Sequence, residues 1–167
     1  MALNAYLKLK GQKQGNIKGS VTQKGREGKI MVIAVSHGIV SPRDPASGLP
    51  TGKRMHKPLV ITKTIDAATP LLYNVLVHNE NVSELELQFW TPQISASTGT
   101  GQEKQHFTIR LWNANIANMS QRMHNTKRPE LAKLPELEEV AFTYERIEWT
   151  WTEGGITAGD DWSAPIV

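Results

Sequence analysis

Cysteine is absent from the 167-residue sequence. Its absence excludes disulfides, thiolate metal sites and cysteine nucleophiles. Long apolar runs are absent too, since no stretch approaches the roughly 18 residues that a transmembrane helix needs, and we expect no stable membrane insertion. The opening residues MALNAYLKLKG have no basic n-region and no long apolar core, so they predict a first strand rather than a signal peptide. The hydrophobic fraction of 39% predicts one soluble globular domain over residues 1–167.

Motifs of catalysis and cofactor binding are missing as well. No G-x-S-x-G nucleophile motif occurs, and the Gly-Lys pairs lack the spacing that cradles phosphates. The five histidines have no metal-ligand grouping, and His37 and His56 are expected in surface or core packing. Neighbouring carboxylates Asp160 and Asp161 point to opposite sides of an extended chain, which favours a solvated or ion-paired tail over a metal or acid–base site. We therefore predict no enzyme, no cofactor and no metal site.

Charge is segregated along the chain, although the net charge is only +3. The charged residues within 8–29 are basic apart from a single acid, and the charged residues within 130–148 are mostly acidic. A basic segment alone favours binding to nucleic acid. Beside an acidic segment it equally favours contacts between copies of the protein through faces of opposite charge. The candidate complementary charges are Lys13, Lys18, Lys24, Arg26, Glu136, Glu138, Glu139, Asp160 and Asp161.

Alternation of apolar and polar residues predicts that β-strands dominate the fold. The alternating segments are residues 3–10, 59–65, 84–90, 106–112 and 140–151, with a further possible strand over 116–122. Residues 30–35 form a continuous apolar run, typical of a strand covered on both faces. The apolar phase changes within the 140–151 segment, which predicts a bulge or bend near residues 145–146.

One segment has the pattern of a helix, predicted over residues 70–78. Thr69 suits an N-cap, Pro70 suits the first helical position, and the leucines and valines that follow recur at helical spacing. Many strands and one helix predict a mainly β fold. We expect a closed or nearly closed antiparallel β-barrel, with one flanking α-helix and a long extended loop.

The extended loop is the stretch SPRDPASGLPTGKRMHKP, residues 41–58, which is rich in proline and cations. A compact domain rarely carries so long a connection unless the connection has a role. Prolines lower the entropy lost when such a loop is ordered, so we predict a semi-rigid arm that reaches an adjacent subunit or ring. The alternative is a mobile surface loop without a partner. The candidate contact residues are Arg43, Asp44, Pro45, Leu49, Pro50, Lys53 and Arg54.

Two alternatives to an assembly role follow from the residues alone. The first is a basic β-barrel that binds single-stranded nucleic acid through a groove with aromatic stacking platforms. The basic segment contains no aromatic residue, and most tryptophans fall within predicted strands, so we expect no nucleic-acid partner. The second is a small enzyme or a carbohydrate-binding barrel that uses the tryptophans.

Several stretches together resemble one known family in collinear order along essentially the whole chain. They are AYLKLKG near the start, DPASGLPTGKRMHKPLVITKTIDAATPLLYNVL in the middle, and FTYERIEWTW and DDWSAPIV near the end. The sequence resembles the haemolysin-coregulated protein (Hcp) family, the tube subunits of bacterial type VI secretion systems. Residues 12–29 and 95–101 depart from the family pattern.

The resemblance implies a β-barrel of two sheets with a helix alongside, and a homo-hexameric ring built by one repeated head-to-tail contact. The rings stack into a hollow tube that a contractile sheath propels, with a VgrG-type spike trimer at its tip and effectors in its lumen. It also implies assembly in the cytoplasm and secretion through the apparatus without a signal peptide. We hypothesise that strand edges and aromatics close the ring, and that the charged segments and the loop serve stacking.

Overall fold

The computed structural model describes residues 1–94 and 101–164. The predicted tip over residues 95–101 therefore lies outside the described residues except for Gly101. The described elements are β1 (Ala5–Gly11), β2 (Gly15–Ile17), β3 (Ile30–Val32), β4 (Ala34–Ser36), β5 (Ile39–Val40), β6 (Met55–His56), β7 (Leu59–Thr64), α1 (Thr69–Val77), β8 (Val82–Ile94), β9 (Gly101–Arg122), β10 (Leu137–Thr143), β11 (Arg146–Trp151), a 3₁₀ turn (Glu153–Gly155) and β12 (Ile156–Asp161).

Strand β9 organises the fold because its two halves pair with different partners. Its first half pairs with β8 and with β11, where Leu111 lies opposite Ile147. Its second half pairs with β10, where Met119 lies opposite Val140. Asn113 separates the halves with a φ of 49°, a left-handed conformation that asparagine tolerates better than most residues. The predicted strands over 106–112 and 116–122 are therefore one bent strand.

The strand that follows bends at the corresponding place. The predicted 140–151 strand is divided into β10 and β11 by residues 144–145, next to the expected position of 145–146. β10 follows the second half of β9 and β11 the first half, so the interruption allows both strands to keep their pairing. The prediction of a bend is confirmed.

The barrel is not closed, contrary to the expectation of a closed or nearly closed one. Strand β3 pairs with β1 and β4 pairs with β7. Ile33, between β3 and β4, donates its N–H to the Thr62 carbonyl at 2.9 Å. Among the described strands none pairs with both β1 and β7, so the antiparallel network stays open at this seam. Ile33 is 43% exposed, so the run over 30–35 is not covered on both faces as predicted.

Buried side chains from both halves of the strand network form one hydrophobic cluster. Leu7, Ile61, Leu87 and Phe142 all lie in it, and Leu72 joins it from the helix. Period-two alternation placed these strand residues correctly, because one face of each strand packs inward while the other meets water. Among residues 1–94 and 101–164, no helix is long and apolar enough to cross a membrane.

The helix begins one residue earlier than predicted and lacks the expected cap. Ala68 occupies the N-cap position, and Pro70 lies in the first turn as predicted. Thr69 is buried as the first helical residue, and its hydroxyl donates to the Glu138 carboxylate at 2.8 Å. That carboxylate pairs with the buried Lys63 ammonium. A hydroxyl recruited by a buried ion pair is not free to cap the helix.

Candidate assembly surfaces

Residues 39–56 form a β-hairpin, which we call the arm, rather than an irregular loop. Strands β5 and β6 pair at its base, and an isolated bridge joins Arg43 to Pro50. Toward the tip, Asp44 donates its N–H to the Leu49 carbonyl at 2.9 Å, and Thr51 donates to the Pro42 carbonyl at 3.0 Å. These backbone bonds order the arm without a hydrophobic core.

The tip of the arm is closed by Asp44 itself. Its carboxylate accepts the Ala46 N–H at 3.1 Å and the Ser47 hydroxyl at 2.6 Å. The Ser47 hydroxyl holds the pKa of Asp44 below its ordinary value, and the Ala46 N–H adds to the effect. Asp44 therefore stabilises the turn instead of presenting a free charge.

Several predicted contact residues of the arm point into solvent. Leu49 is 65% exposed. The other exposed candidates are Arg43, Pro45, Pro50 and Lys53. They combine two cations with an apolar tip, and their role in contacts between subunits stays a prediction.

Arg54 anchors the arm to β12 within the same chain. Its guanidinium donates to the Asp160 carboxylate in a two-pronged contact, from Nε at 2.5 Å and from Nη2 at 2.7 Å. Nη2 also donates to the Asp161 carbonyl at 2.9 Å. Hydrogen bonds from Arg54 hold the pKa of Asp160 below its ordinary value. The two carboxylates diverge as expected, since that of Asp161 accepts the Ser163 hydroxyl.

Two histidines at the base of the arm, His37 and His56, contact the same tyrosine hydroxyl. His56 Nε2 lies 2.7 Å from the Asp160 carboxylate, and His56 Nδ1 lies 2.8 Å from the Tyr144 hydroxyl. His37 Nε2 lies 2.7 Å from the same hydroxyl. No sequence pattern joins these residues, because they lie on segments about 100 positions apart. The one sequence signal was position, since His37 precedes the arm and His56 is its last residue.

Strand β12 is an exposed sheet edge. It pairs with β11 alone among the described strands. Its first four residues, Ile156, Thr157, Ala158 and Gly159, are exposed and carry no charge. Ile156 lies opposite Trp151 in the pair, and the two side chains are 69% and 44% exposed. An uncharged edge with unpaired backbone groups is a template for adding a strand from another chain.

The predicted charged candidates divide into exposed and buried residues. Glu138 is 1% exposed and is bound to Lys63, and Arg26 is 5% exposed. Burial removes these two from the set available to another subunit. The exposed candidates are Lys13, Lys18, Lys24, Glu136 and Glu139.

Arg26 is buried against two nearly perpendicular aromatic rings. Its guanidinium carbon lies 3.7 Å from the centre of the Trp90 ring and 4.7 Å from that of Tyr6. Its Nη1 pairs with Glu103 at 2.5 Å. A weakly hydrated guanidinium can be buried in this way, since ring faces and a carboxylate replace its water.

The basic and acidic segments both contact the connection between β7 and α1. Ala67 donates its N–H to the Ser20 hydroxyl at 3.1 Å, and Ile65 donates to the Glu136 carbonyl at 3.3 Å. The two segments therefore flank one connection and are not placed at opposite ends of the fold. Over the described ranges, no three or more histidine or carboxylate side chains converge as a metal site would require.

Comparison with known proteins identifies the family. The model of the family described as "Type VI secretion system effector, Hcp" matches residues 6–151. The chain is 38% identical over 175 aligned positions to the "Major exported protein" of Pseudomonas aeruginosa, covering 99% of each protein.

Solved structures of Hcp proteins share the fold. A variant of Hcp1 from E. coli EAEC 042 is 33% identical with a TM-score of 0.81, over 96% of this chain and 99% of that one. The secreted protein Hcp3 from Pseudomonas aeruginosa is 31% identical with a TM-score of 0.76, over 98% and 100%. The chain therefore belongs to the Hcp family, the exported tube proteins of type VI secretion systems.

Proposed function

We propose that this chain assembles into hexameric rings that stack into a hollow tube and leave the cell with the effectors they carry. One observation carries the proposal beyond family membership: the exposed, uncharged edge of β12. A ring closed by one head-to-tail contact needs a different surface on each side of the subunit. The β12 edge supplies one such surface, with Trp151 and Ile156 as its apolar anchors.

The arm serves contacts between rings in this proposal. It is ordered by its own backbone bonds and anchored at its base, so little further entropy is lost when its tip meets another subunit. Leu49 supplies an apolar contact, and Arg43 and Lys53 supply positive charge along the arm. Exposed charge pairs contribute only about 0–1 kcal/mol each, so stacking is expected to be weak and sensitive to salt.

The partners follow from the same role. We propose contacts with a VgrG-type spike trimer at the end of the tube, with the contractile sheath around it and with effectors in the lumen. The protein acts as a single structural domain and not as an enzyme. The shared hydrophobic cluster, which takes residues from β1 through β11, supports one domain.

Three tryptophans contact other residues of the same chain, which favours assembly over nucleic-acid binding. The Trp90 ring stacks on Arg26, and the Trp112 ring lies 4.9 Å from the Arg146 guanidinium carbon. Trp149 packs against the hydrophobic cluster. Rings engaged by their own chain are not free as stacking platforms for bases.

Ala158→Lys tests the ring contact. Ala158 is exposed in the middle of β12, and a lysine on an edge strand opposes strand addition while the fold is kept. Sedimentation velocity should show rings for the wild type and mainly monomer for Ala158→Lys. Thr22→Lys, on the exposed loop between β2 and β3, is the matched control and should form rings. Intact rings in Ala158→Lys would refute the assignment of this edge.

Shortening the arm tests stacking separately. Replacing residues 44–51 with a short Gly/Ser turn should keep the fold, because loop length costs little free energy. Single rings should still form, while stacking or secretion is impaired. Normal stacking and export of this variant would show that the arm has another role.

A further inference from the structure

The base of the arm carries a continuous hydrogen-bonded chain of four side chains. His37 precedes β5, His56 ends β6, Tyr144 lies between β10 and β11, and Asp160 lies on β12. The three links measure 2.7 Å, 2.8 Å and 2.7 Å in the order His37–Tyr144, Tyr144–His56 and His56–Asp160. Both ends of the arm are thus bonded to one hydroxyl that belongs to the body of the fold.

Only one arrangement of protons satisfies all these groups when both histidines are neutral. His56 donates from Nε2 to Asp160, which leaves His56 Nδ1 as an acceptor. The Tyr144 hydroxyl donates to that nitrogen, and its oxygen accepts the Nε2 proton of His37. Every donor in the chain then has an acceptor.

Protonation of both histidines removes this arrangement. Each imidazolium presents donors on both of its ring nitrogens. The Tyr144 oxygen would then face two donors, and its own hydroxyl proton would have no acceptor among the two histidines. The chain tolerates one imidazolium, because the hydroxyl can turn and donate to the neutral ring. A second imidazolium leaves a buried donor unpaired and places two positive charges around one hydroxyl.

The remaining charged groups around the histidines keep their charge in mild acid. On the β12 side these are Asp160 and Asp161, and on the arm they are Arg54 and the exposed Lys57. Hydrogen bonds from Arg54 hold the pKa of Asp160 below its ordinary value of 3.8. Burial raises the pKa of Tyr144, so its hydroxyl stays protonated. His37 otherwise faces the Trp149 ring, which does not titrate. Histidine is the residue type whose charge ordinarily changes between pH 5 and pH 8.

We propose that these residues form an acid-sensitive clamp that holds the His37 and His56 ends of the arm on Tyr144 near neutral pH and releases them when both histidines are protonated, while the contact of Arg54 with Asp160 remains as a tether. Burial, and then the proximity of His56, lower the pKa of His37 in the docked arm. The released state therefore binds protons more readily. Docking is complete above the ordinary value of about 6.5 and weakens as the pH falls below it.

A consequence for assembly rests on the proposed function of the arm. If the arm makes the contact between rings, acid weakens stacking while single rings persist, because β12 pairs with β11 independently of the clamp. The same tube would then be stable in a neutral compartment and loosen in an acidic one.

A single cysteine at the arm tip measures docking directly, since the wild-type chain contains none. Ala46→Cys with a nitroxide label reports the mobility of the arm, and Ser120→Cys on an exposed position of β9 is the control site. Spectra are compared at pH 7.5 and pH 5.0 on the full chain. We expect the docked-to-released ratio of the arm to fall about 5- to 30-fold in acid, the upper figure being roughly 10 to the power 1.5 for one imidazole of ordinary pKa 6.5 that must stay neutral in the docked arm, while the control label is unchanged. An arm label that is equally immobile at both pH values would overturn the clamp.

Two variants separate the clamp from general acid sensitivity. Tyr144→Phe keeps the ring but removes the shared hydroxyl, so the arm should be mobile at both pH values. His37→Gln keeps one donor and one acceptor without a titrating group, so the arm should stay docked at both. Release of the arm in His37→Gln at pH 5.0 would overturn the proposal.

Sedimentation of the same samples tests the link to assembly. A labelled arm that is released in acid while the stacking of rings is unchanged would support the clamp and count against the proposed role of the arm. Loss of stacking together with release would support both.

Discussion

Lys63→Met should be among the most damaging single substitutions in this protein. Lys63 lies on β7 and is 0% exposed, directly opposite Glu138 on β10. Its ammonium pairs with the Glu138 carboxylate and with Asp66 at 2.9 Å, and it donates to the Thr69 hydroxyl at 3.2 Å. One ammonium nitrogen on β7 therefore binds side chains from β10 and from the start of the helix.

The loss of stability follows from the buried charge that remains. Methionine fills most of the volume of lysine, but it leaves the Glu138 carboxylate buried without its cation. Breaking a buried pair in this way costs about 3–5 kcal/mol, which corresponds to a fall in melting temperature of about 6–20 °C for a chain of this size. Replacing both partners, as in Lys63→Met with Glu138→Leu, should recover most of the loss, because no buried charge remains.

Urea denaturation followed by tryptophan fluorescence measures these differences. All variants are compared at one protein concentration and in one oligomeric state, since assembly adds stability by mass action. Lys104→Met is the matched control, because Lys104 pairs with Glu153 at 3.7 Å on the surface and should contribute only about 0–1 kcal/mol. A Lys63→Met protein within about 1 kcal/mol of the wild type would refute the reasoning. So would a double variant no more stable than Lys63→Met.

Three further substitutions test other contacts. Glu80→Gln should cost about 1–3 kcal/mol in urea denaturation, because the carboxylate accepts the Gln14 N–H at 2.8 Å. That bond holds the pKa of Glu80 below its ordinary 4.5, so the contribution of Glu80 to the free energy of unfolding is complete above pH 4.5 and is lost as the pH falls through the lowered value. The variant should lack this dependence of stability on pH. Arg26→Lys should lose about 1 kcal/mol and change the fluorescence of Trp90, since an ammonium cannot stack on the Trp90 ring as a planar guanidinium does. An unchanged spectrum would argue against the stacking. Asp160→Asn should speed hydrogen exchange in residues 39–56 without affecting the core, and unchanged exchange would show that Asp160 does not anchor the arm.

Strands were the most predictable part of the fold. The alternation in segments 3–10 and 59–65 follows from packing one face of a sheet against a core, and that physics is local to each strand. The phase change in segment 140–151 located a bend for the same reason. The length of β9 was not predictable, because the residue that bends it, Asn113, interrupts the alternation just as a strand end would.

Buried polar groups were the least predictable. Lys63 fitted the alternation as though it were apolar, but only the fold shows that Glu138 lies opposite it. The same pair draws the Thr69 hydroxyl inward, so the threonine suited to an N-cap does not act as one. Such contacts join segments far apart in sequence, and propensity and periodicity carry no information about them.

The candidate surfaces were predicted in part. Proline and glycine content marked the arm as unusual, but it did not reveal a hairpin, because the ladder depends on pairing across the turn. The clamp of His37, Tyr144 and His56 was missed, since none of the three stands in a recognisable motif. Segregated charge selected Lys13, Lys18 and Lys24, which are exposed, but it also selected Arg26 and Glu138, whose burial depends on tertiary neighbours.

Negative-stain electron microscopy of the purified wild-type chain, supported by sedimentation velocity over a range of concentrations, tests the central claim most directly. We expect closed rings with six-fold symmetry that stack at higher concentration and separate at higher salt. A strict monomer at every accessible concentration would contradict it.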